Sequence, residues 1–206
     1  MPRIDDAHRT DRKTVILDAA ERCFARSGFH GASMAQICAE AGMSPGNLYR
    51  YFPSKEALTE GLIERDLAEA TASFSLLGQV DDIWTAFSEL GRHYLVEQPR
   101  EEVAVWIETM AEVSRNPQIA ALRKKTDEVI HDCLFGVLKT AKDRGLAAPH
   151  ADIEAIVQFM MTYADGLLLR RVRDPHFDAS TQIETMFAMT RAMMGAAPEA
   201  SNDNRN

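Results

Sequence analysis

The stretch from Ser33 to Lys55, SMAQICAEAGMSPGNLYRYFPSK, restricts what this chain can fold into more than any other. Ser33 is placed to accept from an unpaired amide of a helical first turn. Met34, Ile37, Cys38 and Ala41 then recur at helical spacing on one face. Gly42 stands where a helix end favours a left-handed residue, a conformation that glycine adopts without steric penalty. Ser44 offers a second cap, and Pro45 takes the first helical position, where its missing N–H costs nothing. The helix that follows, Pro45 to Tyr51, has only Leu48 and Phe52 as large apolar anchors. It turns Asn47, Tyr49, Arg50 and Tyr51 outward. Two short helices joined in this way have the form of a helix-turn-helix.

With its flanks, GASMAQICAEAGMSPGNLYRYFPSKEAL closely resembles the DNA-binding signature of tetracycline-repressor (TetR) family regulators. The matching features are the capped second helix, the AG turn, the SxGNLYxYF recognition helix and the lysine that opens helix four. With helix one, the match covers roughly Arg9 to Leu62. The remainder resembles the family only in being helical and of suitable length. The resemblance implies an all-α chain with a three-helix DNA-binding head at 1–54 and a larger ligand-binding and dimerisation domain at 55–195. It also implies a repressor that binds a palindromic operator as a homodimer and is released by a small apolar or amphipathic effector. An activator or a protein-controlled DNA binder is an alternative. So, from another class, is a helical enzyme or interaction module.

The formal charge of −8 looks wrong for a DNA binder until it is divided. Residues 1–56 carry eight Lys/Arg and seven Asp/Glu, whereas the rest carries 15 against 24. An acidic body would repel phosphate everywhere except at the head. No apolar run approaches the ~20 residues that span a bilayer, and the first residues lack an apolar signal core, so the expected location is the cytoplasm. Cys23, Cys38 and Cys133 are widely separated, and the six histidines form no ligand pair. No metal site, cofactor or catalytic motif is expected.

Along the chain, residues 1–8 read as a flexible arm. Helix one runs from about Thr10 to Ser27 and buries Val15, Ile16, Ala19, Ala20, Cys23 and Phe24, with Gly28 as its stop. Phe24, Ile37, Leu48 and Phe52 form the head's core. Ser54 caps a helix reaching about Leu76 that links head to body. Further helices fall at about 81–97, 101–115, 117–144, 152–173 and 179–194, and 196–206 is a small, polar, disordered tail.

By the resemblance, Pro45, Gly46 and Asn47 lie at base edges with Arg50 nearby. Asn pairs with adenine and Arg with guanine, each good pair giving ~1–3 kcal/mol of discrimination. Ser33, Ser44, Tyr49, Tyr51 and Lys55 fit phosphate contacts, although the tyrosines can also merely pack and the serines merely cap. Arg9, Arg12 and Lys13 are either a DNA-contacting arm or a solvated helix start. The last two helices are the implied dimer interface, with Ile156, Phe159, Met160, Tyr163, Gly166, Leu167 and Phe187 as candidates or, alternatively, as monomer core. Phe87, Trp106, Met110, Phe135 and Met161 are candidates to line an effector pocket.

Overall fold

The computed structural model describes the backbone of residues 3–196 and the side chains of residues 12–196. The expected tail at 197–206 and the first two residues of the arm lie outside them. Among the described residues there are helices and no strand. The helices are α1 (Arg3–Gly31), α2 (Met34–Glu40), α3 (Pro45–Tyr51), α4 (Lys55–Leu77), α5 (Ile83–Arg92), α6 (Arg100–Val113), α7 (Pro117–Asp143), α8 (Ile153–Arg173) and α9 (Ala179–Met193). A π-helical turn, His93–Glu97, continues α5. Helix one begins at Arg3 instead of Thr10, because no glycine or proline interrupts 3–27 and polar residues alone do not end a helix. Its regular path stops at Gly28 (φ 71°, ψ 166°).

By packing, the chain divides into two units that are discontinuous in sequence: Met1–Glu69 with Pro99–Thr126, and Ala70–Gln98 with Asp127–Asn206. The boundary expected at 54/55 falls inside the first unit, and both α4 and α7 continue from one unit into the other.

The first unit's core joins Ile16, Leu17, Phe24, Ile37, Leu48, Phe52, Leu58 and Leu62, with Val105 of α6 packed against it. Phe24, Ile37 and Leu48 are among its fully buried side chains, each contributing about 1.5–3 kcal/mol by leaving water. Val15 is 44% exposed, and Leu17 is buried in its place. One residue rotates a helix by about 100°, so the edge of the buried stripe falls on the other side of Ile16. Cys23 and Cys38 are buried as small apolar side chains, and burial pushes the Cys23 thiol up. Polar ties bind the helices at the rim. Arg65 of α4 reaches Asp18 and Glu21 of α1, both at 3.0 Å. Glu40 at the end of α2 accepts from Arg22 (2.8 Å) and Arg26 (2.7 Å) of α1, which hold its carboxyl below the usual range.

In the second unit Ile83, Phe87, Leu138, Ile156, Val157, Met160, Leu167, Ile183, Met186 and Phe187 form one buried cluster. Phe87 meets Phe187 edge-on, with centroids 5.1 Å apart. Backbone carbonyls at two breaks are held by arginines. Arg144 donates to Val80 O (2.7 Å) and Asp81 O (3.2 Å). Arg171 of α8 donates to Leu95 O (3.0 Å) and Gln98 O (2.7 Å), closing the π-turn where the chain leaves for α6. No helix among the described residues is long and apolar enough to cross a membrane.

His131 ties α7 to α8. Its Nδ1 lies 3.2 Å from Asp132 Oδ1 and its Nε2 lies 2.8 Å from Glu154 Oε1. These bonds, Asp132's first and then Glu154's, raise its pKa above the ordinary histidine value. The stabilisation is therefore fully present below the unfolded value of ~6.5 and is lost as pH rises through the raised one. The thermal midpoint of the wild type should fall more than that of His131→Gln between about pH 6 and 8.5. Parallel pH profiles of the two proteins would refute this.

Candidate nucleic-acid interface

Local chemistry starts α2. Ser33 Oγ accepts from the Gln36 N–H (3.2 Å), while the Ser33 N–H donates to Gln36 Oε1 (2.8 Å), a reciprocal capping box. Gln36 is a residue that reasoning from the sequence missed, although the S-x-x-Q spacing that signals the box is present. The Ser33 hydroxyl is therefore engaged within the protein as well as lying at a helix start. Gly42 (φ 63°) turns the chain after Ala41.

Ser44 occupies the cap position of α3 in extended conformation, but its side chain makes no capping hydrogen bond. Pro45 opens the helix, Leu48 is fully buried, and Phe52 is 6% exposed. These two anchors fix which way α3 faces. Ser44, Pro45, Gly46, Tyr49 and Arg50 are exposed, and Asn47 and Tyr51 are half-buried. Tyr51 also packs against the first core. Arg50 has no ion-pair or hydrogen-bond partner among the described residues. Around Gly46, an added Cβ would meet nothing within 4 Å. One face of a short helix thus carries a cation, an amide, a hydroxyl and an aromatic ring, with a glycine that the packing does not require.

Lys55, a candidate phosphate contact, is half-buried and has partners within the protein. Its ammonium donates to the carbonyls of Phe29 (2.7 Å) and Ala32 (2.9 Å), with His30 O at 3.4 Å, and sits 4.8 Å over the Phe29 ring. It closes the carbonyl end of α1, where a cation also suits the helix dipole.

The candidates in the second unit separate by burial. Ile156, Met160, Leu167 and Phe187 are at most 5% exposed inside that unit's own core, the alternative place named for them. Phe159, Tyr163 and Gly166 are more open. With Gln158, Thr162, Arg170, Phe177 and Gln182, they line a surface groove of about 580 Å³ on α8 and α9. Tyr163 donates to Gln182 Oε1 (2.8 Å), and the Arg170 guanidinium lies over Phe177. Of the pocket candidates, Phe87 is core, and Phe135 and Met161 are half-buried beside it. Trp106 and Met110 belong to the first unit, so the five do not converge on one site within either unit. Trp84 adds a buried indole N–H with no acceptor among the described residues. No group of three or more His, Cys, Asp and Glu among the described residues could hold a metal ion.

Comparison with known proteins agrees with this geometry. Residues 16–62 match the bacterial regulatory proteins of the tetR family, and residues 89–195 match the C-terminal domain of BetI-type transcriptional repressors. The HTH-type transcriptional regulator UidR of Escherichia coli K12 is 33% identical over 159 residues, spanning 76% of this chain and 79% of that protein. The HTH-type transcriptional repressor AcnR of Corynebacterium diphtheriae is 24% identical over 174 residues, 82% of this chain and 86% of its own length. Among solved structures, Salmonella enterica GusR superposes with a TM-score of 0.70 at 28% identity, over 89% of this chain and 95% of that one.

Replacing Lys55 by methionine leaves part-buried carbonyls without this donor. It should lower stability by about 1–3 kcal/mol, read from the urea midpoint. An unchanged midpoint would show that the ammonium does not hold the end of α1.

Proposed function

The chain belongs to the tetR family of bacterial regulatory proteins, and we propose that it is a ligand-responsive transcriptional repressor acting as a homodimer on a palindromic operator. The outer face of α3 carries this reading. Asn47 and Arg50 read base edges, while Ser44 and Tyr49 contact phosphate oxygens, with Ser33 and Tyr51 behind them. Gly46 supports it: glycine costs helix stability relative to alanine, and nothing inside the protein needs the space. A DNA backbone or base edge brought close to α3 does.

One such head reads few base pairs, so two heads on half-sites ~34–36 Å apart supply the affinity. The α8–α9 groove around Phe159, Tyr163 and Gly166 is the surface through which the copies pair. The effector is a small apolar or amphipathic molecule held in the second unit. There Phe135 and Met161 offer adaptable apolar area, and Trp84 Nε1–H offers a donor to an acceptor atom of the effector. Such a ligand need only favour the released state by ~1–3 kcal/mol of coupling. Because α4 and α7 are continuous between the units, a shift around the effector has two unbroken helices through which to reach the head, besides the chain passage at 98/99. The protein acts in the cytoplasm, where its DNA is, and as a regulator it has no catalytic step.

Selection of duplexes from a random pool tests the reading. The wild type should recover a palindrome, and Asn47→Ala with Arg50→Ala should lose it while keeping its circular dichroism spectrum and its dimer. Gly46→Ala separates fold from function: it should raise stability by about 0.5–1 kcal/mol and still weaken operator binding several-fold. Recovery of nothing by ligand-free wild type would sink the proposal.

A further inference from the structure

We propose that Glu108 of α6 is a positioning residue for DNA reading, holding the link between α1 and α2 in the path from which the helix-turn-helix starts. The inference rests on the regulator reading above and adds to it the contact through which the rest of the chain governs the head.

The link, residues 28–32, is short: a break at Gly28 and then one further helical turn, Phe29–Gly31. Gly28 leaves helical geometry, and the Glu108 carboxylate lies against it: a Cβ there would stand 2.9 Å from Glu108 Oε1. The next residue's N–H donates to Glu108 Oε2 at 2.5 Å. One turn further along α6, Glu112 Oε1 lies 3.0 Å from His30 Nε2 and 3.6 Å from Arg115. On its other side the link is held by Lys55 through the carbonyls of Phe29 and Ala32. The N–H side of Phe29 thus belongs to α6 and its carbonyl side to α4.

Glu108 meets the first N–H of the helical turn that restarts after Gly28, where a carboxylate is favourably placed. Its gain is a charge-assisted hydrogen bond to one specific amide. That amide matters because Ala32, fully packed in the first core, and Ser33, the cap of α2, follow it three and four residues later. Helix α3 is too short to orient itself and takes its pose from α2 and from the Leu48 and Phe52 anchors. A rotation of the link is therefore a rotation of the reading face. Helix α6 is also the segment that follows the π-turn whose carbonyls Arg171 of α8 holds. Movement of α8 reaches Glu108 along the chain itself.

The test uses the full-length protein with Glu108→Ala and Glu108→Gln. Alanine favours helix and should leave α6 folded; glutamine keeps an acceptor oxygen for the Phe29 amide. In the Ala variant, exchange of the Phe29 amide should accelerate about tenfold, with α8 and α9 unchanged. Its affinity for the selected duplex should fall about fivefold. The Gln variant should stay within about twofold of wild type in both, a rescue that general loss of packing would not give. Unchanged exchange in the Ala variant would overturn the proposal. So would faster exchange with unaltered DNA affinity, or a Gln variant as impaired as Ala. If the wild type itself selects no duplex, the regulator reading fails and takes the proposal with it, an outcome distinct from failure in the variants alone.

Discussion

The geometry of the head depends on one cation placed among carbonyl oxygens. A helix ends with carbonyls that lack partners, and α1 ends against the link that must deliver the chain to α2. Lys55 supplies donors to Phe29 and Ala32 together. Because the same residue is the first of α4, it fixes the start of that helix against the end of α1. The small core beneath, Phe24, Ile37, Leu48 and Phe52, is non-directional. It rewards burial but does not by itself specify how α2 and α3 are turned. The directional bonds at its edges do, namely Lys55, the Ser33–Gln36 box and the Arg22/Arg26–Glu40 pairs.

Electrostatics at the head are sparse. Arg22 and Arg26 are already paired with Glu40, Arg65 is surrounded by carboxylates, and Lys55 faces inward. Arg50 is thus the cation on α3 available to an external anion. Arg12 and Lys13 of α1 are exposed as well.

What could be read along the chain was local. The Ser33 cap, the Gly28 and Gly42 breaks, Pro45 at the start of α3 and the helices of the body all rest on residues a few positions apart, and all are present. What could not be read was pairing at a distance. Nothing in its sequence neighbourhood directs Lys55 to carbonyls more than twenty residues earlier, or Glu108 to an amide 79 residues away. Helix α8 shows the complementary difficulty. Ile156, Met160 and Leu167 lie inside while Phe159, Tyr163 and Gly166 lie on the more open side, yet all six are apolar or small. The polar stripe Glu154, Gln158, Thr162 and Asp165 marks the exposed side of α8, but the apolar remainder is too broad for periodicity alone to say which part the chain's own core takes. The same ambiguity applies to Phe87 and Phe187, which meet each other in the core.

The π-turn at His93–Glu97 has a consequence for descent. A π-turn accommodates one residue more than the α-helical turn it replaces, so every position after it is displaced by about 100° around the axis. A single inserted codon is enough to create that offset, and a single deleted codon to erase it. Here the offset falls immediately before the crossing from α5 into α6, with Arg171 bonded to the carbonyls of Leu95 and Gln98. Lineages that differ by one residue at this point would share every helix and every core position. They would still carry the residues of this last turn at a different angle around the helix axis, so the smallest possible change in gene length could decide which side chains that turn points at its neighbours.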